Sequence, residues 1–374
     1  LWKYSFINGD GTGAGGFWTN LNANVPAGPY RFDDLNLQGG YNMLVSVSPT
    51  DPDLVILGGT NLFRSTTGFA DSTHTTFVGG YGETTDLPDF QVYQNHHPDQ
   101  HLVFFSELDS KVIISCNDGG IMRTDDITAT PVVWKSLNNS YNTTQFYSLA
   151  IDHGTENSFE MMGGLQDNGT FHNLTSDPAA WKLPWSYDGA YTAIADGGSM
   201  HLTSIQLGRM FKVKLDANGN RTAWKRFDPI GASSYYFIHP WSMDPNDNGI
   251  VYLPVGTKLW RNDMVDELPF DNGTDSISTG WTQLPFNLNG NGSCAGISTK
   301  NPANRVYVGT STGNLYRLDE AQGTSATFTD LSNNISGSGY LNCVAVDPEN
   351  ADHAMAIYSS YKVHSIHYTE DGGA

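Results

Sequence analysis

A unit of three short apolar strands repeats along this 374-residue chain. That repetition restricts the fold more than any single motif does. Four segments read alike: LVSVSPTDPDLVILGGTNLFRS from Leu44, WSMDPNDNGIVYLPVGTKLWRN from Trp241, AGISTKNPANRVYVGTSTGNLYRL from Ala295 and CVAVDPENADHAMAIYSSYKVHSI from Cys343. Each runs as an apolar strand, a turn rich in Pro, Asp and Asn, a second apolar strand, a Gly or Ser break, and a third strand. Looser copies begin near His101, Tyr147 and Tyr191. The starts are about 50 residues apart, within the range of propeller blades.

Most units close on an aromatic strand: VVWKSLNN at Val132, AAWKLPW at Ala179, TAWKRFDP at Thr222, GWTQLPF at Gly280 and ATFTDLSN at Ala326. Three strands and an aromatic outer strand make a four-stranded blade. No stretch sustains helical periodicity over ten or more residues. The expected fold is therefore all-β, a single propeller of about seven four-stranded blades spanning 1–374. The last repeat stops at TEDGGA without an outer strand, while LWKYSFINGDGTGAGGFWTNLN at the start reads as a third strand, a turn and an outer strand. Residues 1–26 are accordingly expected to complete the blade of 340–374, which would close the ring and remove its edges. The competing expectation is a fragment of a longer chain.

Charge narrows the partners. Lys and Arg number 19 and Asp and Glu 39, so the formal net charge is 19 − 39 = −20. Phosphate binding needs clustered cations, which argues against nucleic acid and against an anionic membrane surface. No apolar run approaches the roughly 18 residues of a membrane-spanning helix. The wealth of Gly and aromatics separates the chain from disordered acidic sequences. Cys116, Cys294 and Cys343 have no zinc-like spacing and read as small buried hydrophobes. One disulfide, Cys294 with Cys343, is compatible with their matching contexts one repeat apart.

Several local motifs have both a structural and a functional reading. DPNDNG at Asp244 starts like a calcium loop, but the twelfth position is Val255 where a bidentate Glu is needed, so it reads as a blade turn. NGDGTGAGG at Asn8 lacks the Lys and helix of a phosphate loop and reads as a hairpin. His96, His97, Asp99 and His101 form the densest polar cluster. Alternation would put His97, Asp99 and His101 on one face, although Pro98 disturbs pairing. A structural His–Asp hydrogen-bond network is favoured over a metal site there, and no metal or cofactor is assigned. Trp181, Trp185, Tyr187 and Tyr191, and likewise Tyr235, Tyr236 and Trp241, could stack on sugar rings or peptide side chains. Blade-to-blade packing is the alternative use of the same rings.

The turns carry a family likeness. Thr369, Asp371 and Gly373 form T-x-D-x-G, which resembles the Asp-box or BNR repeat, and NDGGIMRT at Asn117 and LQDNGT at Leu165 are degenerate forms. The resemblance places such turns between a blade's third and fourth strands, where Asp accepts backbone N–H bonds and Gly supplies positive φ. H-x-D-Q-H from His97, NDGGI from Asn117, TTQFYSLAID from Thr143, GGLQDNGT from Gly163 and DGAYTAIADGG from Asp188 follow in that order. The set is similar to secreted Asp-box propellers of Bacteroidetes and to the sortilin-like and xyloglucanase-like propeller superfamily. The resemblance implies a secreted or cell-surface protein, many such being type IX secretion cargo with a C-terminal sorting domain not found here. On the aromatic clusters, the expected role is recognition or adhesion toward a polysaccharide or protein partner, with a passive spacer as a further reading.

The same resemblance implies a glycoside hydrolase as the alternative. Two carboxyls must flank the scissile bond, and Asp118, Asp167 and Asp188 are the candidates. Xyloglucanase-like enzymes place a catalytic Asp in T-D-x-G-G-x-Y-R. NDGGIMR lacks one residue between Asp118 and the glycines. The partner acid in those enzymes comes from a second propeller, for which this chain has no room.

Overall fold

The computed structural model describes residues 1–8, 15–26, 34–82, 91–140, 144–335 and 339–374. The Gly-rich loop at 9–14, Tyr30 and the start of the TTQFYSLAID motif at Thr143 lie outside these. The protein has the all-β architecture of a propeller, built from meander sheets whose strands follow one another in sequence order. Six four-stranded sheets cover 44–79, 100–136, 146–185, 189–226, 242–283 and 292–330, and a three-stranded sheet covers 341–369. The seven repeats read from sequence correspond to these seven sheets. Helix is confined to short 3-10 turns among the described residues, and no helix is long and apolar enough to cross a membrane.

The chain divides into two compact units, residues 1–143 and 144–374. In the first, strands Trp2–Phe6 and Gly16–Asn20 pair with each other as a separate hairpin. The residues flanking it dock on the first blade, where Leu1, Leu21 and Val25 pack with Val55, Leu57 and Phe69. A second core, including Ile56, Leu62, Val78, Val103, Ile113 and Trp134, lies between sheets 44–79 and 100–136. Trp134 donates its indole N–H to the carbonyl of Val78 at 2.7 Å. Burying such a ring is worth roughly 4–6 kcal/mol gross, at about 25 cal/mol per Å² over 150–250 Å². The aromatic outer strand is therefore the clamp onto the preceding blade.

The second unit repeats the device. Trp281 donates its indole N–H to the carbonyl of Phe227, just after the outer strand of the preceding sheet. Its cores are apolar layers between successive sheets. Strands VYLPV and VYVGT are buried at every position, because stacked blades cover both faces. Their continuous apolar runs follow from that. Gly164 shows how closely blades approach: a Cβ there would sit 2.0 Å from the carbonyl oxygen of Ala190 in the next sheet.

The placement of two turn motifs is corrected. The NDGG and LQDNG turns join second and third strands, not third and fourth. Asn117 pairs directly with Gly120, and Leu165 with Gly169, so each motif is consumed by a tight hairpin. Gly120 at φ 110° supplies the backbone that the first one needs. Of the three motifs, the one from Thr369 follows a third strand. There Thr369 Oγ1 and Asp371 Oδ1 both accept the N–H of Gly373, at 2.9 and 3.2 Å. The DPNDNG segment is a blade turn: Asp244 is buried and accepts from Asn246 and Gln322. The three cysteines are free.

Candidate functional site

Antiparallel order fixes which loops share an end of a blade. The chain leading into the first strand and the turn between the second and third strands lie at the same end. Asp99 leads into strand Gln100–Phe105, and Asp118 tops the hairpin between Ile113–Asn117 and Gly120–Thr124. The sequence separates them by one strand pair, and the fold brings them together. One carboxylate oxygen of each lies within 4.8 Å of the other.

The two carboxylates have different surroundings. Asp99 is buried, at φ 63°, and its Oδ1 accepts from Asn42 Nδ2 at 2.6 Å and from Gln38 Nε2 at 3.2 Å. Asp118 is more open, with its side chain 16 % exposed, and pairs with His101 Nε2. The Tyr41 hydroxyl lies 3.5 Å from both Asp118 oxygens. The Tyr41 ring is 59 % exposed and stands nearly perpendicular to the His101 ring, with centroids 5.1 Å apart. The site thus offers an open aromatic ring, an imidazole and two carboxylates at one blade end.

His97, Asp99 and His101 do not share a strand face as alternation suggested. The strand starts only at Gln100, and the left-handed backbone at Asp99 breaks the pleat. His97 turns back onto the carbonyl of Pro98. Neighbouring His96 is a core residue, bonded to Ser115 and packed on Trp134. Burial pushes its pKa down to about 3.

In the second unit, Asp167 and Asp188 occupy corresponding positions. Asp167 sits in the hairpin between Met161–Leu165 and Gly169–Asn173, and Asp188 leads into Gly189–Ile194. The Asp167 N–H donates to Asp188 Oδ1 at 3.0 Å. Tyr147 lies near enough that both carboxylates raise its pKa, after the larger effect of burial.

The aromatic candidates separate by burial. Trp185 and Trp241 are core residues, which corrects their grouping with exposed rings. Trp185 is fully buried, 4.1 Å from the Phe211 ring, and Trp241 donates to Ser204 Oγ at 2.9 Å. Trp181 is half-buried beside exposed Phe146. Tyr187 is half-buried with φ 78°. Tyr191 packs against the core, and burial raises its pKa. Tyr235 and Tyr236 flank buried His239 at 4.9 and 5.7 Å, and Tyr236 also meets Tyr340 at 5.9 Å.

Sequence reasoning missed Tyr41, Asn42 and Gln38, because they reach the site from a loop with no motif. It also missed Glu160, His172 and His201, which converge in the second unit from separate parts of two sheets. Register across the LQDNG hairpin could have found the first two of those.

No protein-family model matches the chain, and no curated protein matches it. Among solved structures it is similar to the GH74 enzyme of Niastella koreensis, with 17 % identity and a TM-score of 0.51 over 97 % of this chain and 48 % of that one. The chain spans about half the length of that enzyme. It is also similar to the β-propeller domain of Cps50 (Swd1) from Myceliophteria thermophila, with 10 % identity and a TM-score of 0.42 over 88 % of this chain and 97 % of that one. At 17 % identity, the likeness to the GH74 enzyme concerns the fold alone. It agrees with the blade sheets described above.

Proposed function

We propose that the blade end carrying Tyr41, Asp99, His101 and Asp118 recognises a polysaccharide. The observation that supports this most directly is the exposed Tyr41 ring set beside the Asp118 carboxylate. A sugar ring offers an apolar face for stacking and hydroxyls that donate to a carboxylate, and this pairing meets both. The reading places the protein outside the cell or on a bacterial surface, as an Asp-box propeller and type IX secretion cargo. The ordered motifs and the Asp371 turn support that part of it.

One observation favours a second reading, glycoside hydrolysis. Asp99 and Asp118 bring carboxylate oxygens within 4.8 Å of each other, and such hydrolysis works with a pair of carboxyls. Asp118 would then be the residue exposed to substrate.

Affinity electrophoresis through xyloglucan and other plant and algal polysaccharides, alongside assay of reducing ends, separates these readings. Retarded migration abolished by Tyr41→Ala and by Asp118→Ala, with no sugar release, is expected. Release lost in Asp118→Ala would establish the hydrolase instead. Neither retardation nor release with any polysaccharide would remove both.

A further inference from the structure

Three donor atoms meet in the second unit in a manner that blade packing does not require. Glu160 immediately precedes strand Met161–Leu165, His172 lies on Gly169–Asn173, and His201 opens His201–Ile205 of the next sheet. Met162 pairs with His172, so Glu160 and His172 are diagonal neighbours on one face of the hairpin. Both imidazole Nε2 atoms approach the same oxygen, Glu160 Oε1, at 2.7 Å from His172 and 2.6 Å from His201. The two rings are edge-on, with centroids 5.0 Å apart. Side-chain exposure is 1 % for His172 and 10 % for each of the other two.

A buried carboxylate is costly unless a positive charge answers it. Among the described residues, the ion-pair partners of Glu160 are these two histidines, with no Lys or Arg. Gly198 keeps the other carboxylate oxygen clear: at φ 64°, a Cβ there would fall 2.5 Å from Glu160 Oε2.

We propose that Glu160, His172 and His201 bind a divalent transition-metal ion of the zinc class. Two imidazole nitrogens and one carboxylate oxygen are a donor set that zinc takes at about 2.0–2.2 Å. Tetrahedral ligand atoms at that radius stand about 3.3 Å apart. Each His–Glu contact need widen by only about 0.7 Å to admit the ion. Two nitrogen donors disfavour calcium and magnesium, which take oxygen. Because the ligands come from sheets 146–185 and 189–226, the ion pins neighbouring blades together. It would bind the folded chain and not the unfolded one, and so stabilise the fold.

The test is zinc binding by the whole chain, stripped with a chelator and dialysed. Native mass spectrometry should show one zinc bound after one equivalent is added back, and the stripped protein should take zinc from a chromophoric chelator. Thermal unfolding should move to higher temperature with one equivalent of zinc. Glu160→Gln and His201→Ala should each weaken zinc uptake by at least about 10-fold to 100-fold. If those variants do not fold, X-ray absorption of the zinc-loaded native chain must show two imidazoles and a carboxylate oxygen around the ion. A folded chain that takes up no zinc, uptake unchanged in both variants, or a different ligand shell would each overturn the proposal.

Discussion

The main-chain N–H of Asp118 donates to the carbonyl of Asp99 at 3.2 Å. That bond ties the second hairpin of a blade to the chain leading into its first strand. Asp99 is itself anchored, its own N–H donating to Thr60 at 2.9 Å. The two backbones are therefore held together, and Asn42, Gln38 and His101 hold the carboxylates in turn. Preorganisation of this kind lowers the entropy lost when a ligand is bound.

Asn42→Ala tests how much of that placement depends on side chains. Asn42 is fully buried and gives Asp99 its shorter hydrogen bond, 2.6 Å. Removing a bond to a buried charged group costs about 1.5–3 kcal/mol. A fall in the urea midpoint at constant slope, together with weaker polysaccharide retention, is the expected pair of results. Gln38→Ala removes the longer 3.2 Å bond and should cost less in both measurements.

Trp185 and Trp181 differ only by four positions in sequence, yet their replacement should separate cleanly. Trp185→Ala empties a site walled by Phe211 and Trp224, with the Arg221 guanidinium 5.3 Å from the ring. The expected loss is about 3–5 kcal/mol in chemical denaturation. Trp181→Ala should cost well under half of that, because its ring is half-buried with Phe146 as its aromatic neighbour. Equal losses would show that the two rings share one environment.

Those two rings also show what a sequence can carry. The strands were legible because blade stacking imposes apolar runs such as VYLPV, and the aromatic outer strands were legible because Trp134 and Trp281 serve one repeated contact. Burial of a given Trp was not, since AAWKLPW does not show that Trp181 falls just before the strand Lys182–Trp185 and Trp185 at its buried end. The Asp99 and Asp118 pair was partly legible, as polar positions flanking strands. Its partner Tyr41 was not, for it arrives from a loop 58 and 77 residues away, where no periodicity links the positions.

Gly164→Val should be more damaging than most surface changes. The added side chain would meet the Ala190 carbonyl, and backbone cannot rotate aside as a side chain can. Overpacking costs about 1–3 kcal/mol or more where neighbours are fixed. Thermal unfolding should drop, and Gly164→Ala should already show part of the drop. A variant as stable as the parent would mean that the blades part readily at this strand.

Acid should weaken the fold through buried neutral histidines. His239 accepts the Tyr236 N–H at Nδ1 and donates from Nε2 to the Pro254 carbonyl, so its neutral tautomer is built in. Burial pushes its pKa down to about 4 and that of His96 to about 3. An unfolded histidine titrates near 6.5. Between those values the unfolded chain binds a proton that the folded chain refuses, so stability falls as pH falls. The contribution of each histidine is constant above about pH 6.5 and declines by about 1.4 kcal/mol per pH unit below it, until the folded pKa is reached. Stability from urea unfolding between about pH 6.5 and pH 5 should fall with the summed slopes of the two histidines. His239→Gln keeps an amide donor for Pro254 without a titrating group, and it should flatten the decline by the share of one histidine. An unchanged slope in that variant would place the acid sensitivity elsewhere.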